Sequence, residues 1–175
     1  MASSRQSIRF VLAVFVPLLI VATVPLAASA DEIKAHLIGY QEVPAINSTG
    51  NAVFTAKIAQ DRQSFQWELS FAGLTNVTQA HIHFGQKGVA GAIVIWLCAN
   101  NPPITTAPPG TQACPTSSGT VTGTAAAANV VGVPAQGITA GDFDAILDAI
   151  ESGVAYANIH TVAHPPGEIR GQIKK

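Results

Sequence analysis

The chain has 175 residues, a formal net charge of −1 and only 11% charged side chains. Its Lys and Arg residues are scattered along the sequence without a basic run, which argues against nucleic acid or an anionic membrane surface as a partner. A composition rich in Thr, Ala, Val and Gly and poor in charge suits stacked sheets better than helices.

The first thirty residues form a separate unit. Arg5 and Arg9 precede an apolar stretch that contains Pro17 and Pro25 and ends in Ala28-Ser29-Ala30. Charged, apolar and small-residue regions in this order read as a secretory signal over 1–30, with the mature domain at 31–175 located in the periplasm, at the cell surface or outside the cell. The competing reading is an uncleaved anchor, and the small-residue site favours cleavage. No later segment has the length and apolarity of a membrane span. Setting aside thirty residues that contain two cations and no carboxylate leaves 145 residues with a net charge of −3. That is one domain, large enough for its own core.

From Asp31 onward the apolar pattern repeats every second residue. Strands are expected at 32–39, 50–59, 64–71, 78–84, 92–98, 119–127, 153–161 and 168–174, separated by turn-forming clusters. Eight short strands imply an all-β, antiparallel Greek-key sandwich. One segment breaks the period. Thr139 is placed to cap a helix, and Phe143, Ile146, Leu147 and Ile150 then share one face before Gly153. The opposite face, Asp144, Asp148 and Glu151, reads as solvated surface rather than a calcium site. Cys98 and Cys114, an even count in an exported chain, are expected to form a disulfide across a Pro- and Gly-rich loop.

Histidines carry the most specific chemistry. His81 and His83 project together from one strand while Ile82 points away, and Tyr156, Asn158 and His160 share a face of another strand. His81, His83 and His160 would make an open three-coordinate site suited to copper or zinc, with His164 or His36 available as a further ligand. The alternative is purely structural, with the imidazoles hydrogen-bonded to backbone or to Glu42 and Asn158. Arg170 has a fork suited to a carboxylate, so Glu42, Glu168 and Arg170 are expected to form a structural ion-pair cluster. There is no Gly-x-Ser-x-Gly, no reactive cysteine and no phosphate-cradling loop.

Four ordered landmarks resemble the CHRD domain, named from chordin. They are Leu37-Ile38-Gly39-Tyr40-Gln41-Glu42-Val43-Pro44 with Gly50-Asn51-Ala52, then Ala80-His81-Ile82-His83, then Tyr156-Ala157-Asn158-Ile159-His160-Thr161, and finally Pro166-Gly167-Glu168-Ile169-Arg170-Gly171-Gln172. The chain departs from the family pattern at Phe84, where glycine often follows the His-x-His, and in carrying His164. The resemblance implies an extracytoplasmic module. In chordin, repeats of this domain belong to an antagonist of growth factors, but the cysteine-rich modules that accompany it there are missing here, so that role does not carry over. A fainter likeness links His81-Ile82-His83-Phe84-Gly85 to the copper-ligand strand of copper/zinc superoxide dismutases. Such an enzyme needs a second metal site, for which only His36 and His164 are left. The sequence therefore leads to an exported, non-catalytic binding or structural module with an unspecified partner. Its alternative is a copper or zinc binder, and a dismutase is a more distant third.

Overall fold

Period-two patterning becomes eight antiparallel strands in the structure, a computed structural model that describes residues 31–175; the expected signal over 1–30 lies outside the described residues. The strands are β1 (Glu32–Ile38), β2 (Asn51–Ile58), β3 (Ser64–Ala72), β4 (Val77–Phe84), β5 (Ala92–Ala99), β6 (Gly119–Ala126), β7 (Ala155–Thr161) and β8 (Ile169–Gln172), with one helix, α1 (Phe143–Glu151), before β7. They form one continuous sheet in the order β5-β4-β7-β8-β1-β2-β3-β6. Consecutive strands pair in β1-β2-β3 and β4-β5, whereas β6 returns beside β3 and β7 beside β4. The two edges of the sheet come together just after β6, where the Val131 N–H donates to the Val94 carbonyl at 2.9 Å. The sheet thus folds over a single core in a sandwich-like all-β fold.

Alternation decides what fills that core. Leu37, Phe54, Leu69, Ile82 and Ile159 point inward and are fully shielded, and they belong to one cluster with Ile146, Leu147 and Ile150 of α1. Burying a large aliphatic or aromatic side chain contributes about 1.5–3 kcal/mol, so this face dominates stability. The helix begins later than Thr139 suggests. Asp142 is its N-cap and accepts a hydrogen bond from the Ala145 N–H at 3.1 Å, while the Thr139 carbonyl is engaged in the preceding turn by the Asp142 N–H. Gly141 at φ +85° makes that turn, which uses up the residues that would have formed the first helical turn. On the solvated face Glu151 pairs with Arg62 at 3.0 Å.

Cys98 and Cys114 form a disulfide that closes a loop with a sequence separation of 16. The cross-link lowers the entropy of the unfolded chain by an amount worth on the order of 3 kcal/mol. Asn100 supports the same loop, donating to the carbonyls of Val77 and Cys114 and accepting from the Cys114 N–H.

Strand β7 is buried at every residue. Ala155, Ala157 and Ile159 face the core, but Tyr156, Asn158 and His160 face the other way and are covered by loops. A polar row on the outer side of a sheet, shielded from water, is the feature that positions the site.

Close approach of β8 to β1 depends on Gly171, where a Cβ would lie 2.3 Å from the His36 carbonyl oxygen. Because the obstacle is backbone and not a flexible side chain, Gly171→Ala is expected to destabilise the fold by about 1–3 kcal/mol. Urea unfolding checks this, and an unchanged midpoint would contradict such tight packing of β8 on β1.

Candidate metal centre

Adjacent strands bring the three imidazoles together. In the β4–β7 ladder His81 lies opposite Asn158, His83 opposite Tyr156 and Gln79 opposite His160, so the outer faces of both strands present these residues to one another. Relative exposures are 0% for His81, 7% for His83 and 6% for His160. One nitrogen from each ring lies within 4.8 Å of the other two. Ligands bound about 2.1 Å from a tetrahedral ion stand about 3.4 Å apart, so the three nitrogens would draw closer together to hold one ion.

Two of the rings are oriented by backbone carbonyls. His83 Nδ1 is 3.0 Å from the Gly91 oxygen, and His160 Nδ1 is 2.8 Å from the Pro165 oxygen. A carbonyl only accepts, so each Nδ1 carries the proton and each Nε2 keeps a free lone pair. Those two Nε2 atoms are buried without a partner, as are both nitrogens of His81. Leaving a buried polar group unsatisfied costs about 1–3 kcal/mol.

Aromatic groups wall the site. Trp96 of β5 meets His81 edge-on with ring centroids 4.2 Å apart, and Tyr156 stacks on His83 at 4.7 Å. The Arg170 guanidinium lies 3.4 Å from the Tyr156 ring centroid. The loop between β4 and β5 forms a roof over this row, since the Gly91 N–H donates to the Tyr156 hydroxyl and Arg170 donates to the carbonyls of Val89 and Gln86 at 2.9 and 3.0 Å. Trp96 had no motif to mark it in the sequence. Only its register opposite His81 reveals the contact.

No direct salt bridge joins Glu42, Glu168 and Arg170, and the attraction between Glu42 and Arg170 acts at longer range. Arg170 spends its fork on loop carbonyls and on the face of Tyr156, Glu42 accepts from the Asn158 amide, and Glu168 accepts from the Ser48 and Thr161 hydroxyls, both at 2.6 Å. The hydrogen-bonded alternative for the histidines is met only through backbone, because Glu42 and Asn158 engage each other instead. Gly167, at φ +133°, leaves room for that pair, where a Cβ would come within 2.8 Å of both side chains. His164 sits in the β7–β8 turn and His36 is exposed on β1; neither belongs to the trio.

The model of the CHRD domain family matches residues 33–173, which spans the sheet from β1 through β8. No curated protein and no solved structure matches the chain.

Burial sets the protonation of the site. It pushes His83 down from 6.5 to about 4 against a raising effect of the Gly91 hydrogen bond, and it also lowers His81 and His160, with His81 depressed further by its two neighbours. Burial raises Glu42 from 4.5 to about 7, opposed by the Val43 N–H, Arg170 and Asn158. Between pH 6.5 and 4 the unfolded chain gains a proton at His83 that the folded chain does not, so His83 alone removes on the order of 3 kcal/mol of stability as pH falls. Glu42 acts in the opposite sense between pH 4.5 and 7, where the folded state holds a proton that the unfolded state releases. Three lowered histidines outweigh one partly exposed carboxyl. Chelator-treated protein is therefore expected to lose stability from pH 7 to pH 4.5, and a urea midpoint that stays level or rises would contradict neutral, buried rings.

Proposed function

The chain belongs to the CHRD domain family, and on that premise we propose that it acts outside the cytoplasm as a non-catalytic binding module that holds one copper or zinc ion through His81, His83 and His160. The observation that carries this reading is the set of buried ring nitrogens with no partner, converging from two strands. Neutral imidazole suits copper and zinc, whereas calcium and magnesium require oxygen ligands that the trio lacks. Both cysteines are used in the disulfide, so thiolate ligation is not available. The carbonyls of Gly91 and Pro165 supply the outer contacts that fix ring orientation, which is how proteins hold imidazole ligands ready for an ion.

Support for export comes from the order of charged, apolar and small residues at 1–30 and from the disulfide, which persists in oxidising compartments. The ligand inventory bears on the dismutase alternative alone. Among the described residues one His, Cys, Asp and Glu cluster has ligand spacing, and a dismutase of the copper/zinc type requires two.

Metal analysis of protein purified without a histidine tag tests the reading. One copper or zinc per chain is expected, with loss of that stoichiometry in His83→Ala. Free metal a thousandfold above its Kd should raise unfolding stability by about 4 kcal/mol. Metal-free protein whose stability ignores both chelator and added copper or zinc would overturn the proposal. Turnover of superoxide by the copper-loaded protein would overturn its non-catalytic part.

A further inference from the structure

The trio offers an ion three neutral nitrogens and no negative charge. Carboxylates joined to β7 are committed to other partners, Glu42 to the Asn158 amide and Glu168 to the hydroxyls of Ser48 and Thr161. The Tyr156 hydroxyl accepts from the Gly91 N–H, and both cysteines are held in the disulfide. His164 and His36 stand outside the cluster.

Burial turns this donor set into a preference. The three rings are shielded from water, Tyr156 stacks on His83, and Trp96 meets His81 edge-on. A full positive charge, the Arg170 guanidinium, lies against that same tyrosine. The cost of taking an ion out of water rises with the square of its charge, so a divalent ion costs about four times as much as a monovalent one of equal size. Neutral ligands offset none of that cost with opposite charge. His81 weakens the set further, because neither of its ring nitrogens has an outer hydrogen-bond acceptor to raise its basicity as a ligand.

Zinc in proteins completes a tetrahedron, and cupric copper prefers a tetragonal set of donors. Cuprous copper is monovalent and closed-shell, and it is stable at the low coordination number that three neutral nitrogens supply. We propose that His81, His83 and His160 hold copper as Cu(I), in preference to Cu(II) and to zinc. This inference rests on the metal reading of the same trio and narrows it to one ion in one oxidation state.

Competition titrations of the metal-free, tag-free protein test it, with bicinchoninate as the anaerobic competitor for Cu(I) and chromophoric chelators as competitors for Cu(II) and zinc. Cu(I) is expected to bind at least about tenfold more tightly than either divalent ion; against Cu(II), that ratio places the bound couple about 59 mV above the couple of the free ions. Equal or tighter binding of zinc or Cu(II) would overturn the cuprous assignment and leave the metal reading standing. Failure of all three ions to bind would overturn both. His164→Ala, outside the trio, checks the coordination number. Its Cu(I) affinity should stay within about twofold of the parent, and a loss of about tenfold or more would reveal a fourth imidazole and contradict the three-nitrogen site.

Discussion

Two backbone carbonyls, those of Gly91 and Pro165, determine what the polar face can do. Each takes the proton-bearing nitrogen of one imidazole and so leaves the other nitrogen buried with a free lone pair. Without those contacts the rings would be free to turn toward whatever donor or acceptor lay nearby. With them, His83 and His160 are held as neutral rings beside His81, whose ring makes no hydrogen bond of its own.

The carbonyls are in place because the loops that carry them are themselves tied down. Arg170 binds the β4–β5 loop at Gln86 and Val89 and lies against Tyr156, while the hydroxyl of Tyr156 accepts from Gly91. At the other end Glu168 links Ser48 to Thr161 and thereby joins the loop after β1 to the β7–β8 turn. Charged and polar residues here serve as scaffolding for a roof over the sheet, and that roof keeps water from the rings. The same exclusion lowers the basicity of the imidazoles, which keeps them available for a cation other than the proton.

Alternation made the fold and the trio legible in the sequence. Strand periods of two placed His81 with His83 and put Tyr156, Asn158 and His160 on a shared face, and tertiary pairing of β4 with β7 brought those faces side by side. What the sequence did not reveal were contacts that depend on loop paths. Arg170 reads as a partner for a carboxylate until the β4–β5 loop supplies carbonyls at the same distance, and Thr139 reads as a helix cap until Gly141 turns the chain ahead of Asp142.

The site depends on neutral rings, with Nε2 of His83 and His160 buried and unprotonated. A long-range proton–nitrogen correlation spectrum of the metal-free protein at pH 7 tests it directly. The Nδ1–H tautomer is expected for both residues, with Nε2 shifts moving when one equivalent of zinc is added. Imidazolium rings, or protons on Nε2, would contradict it.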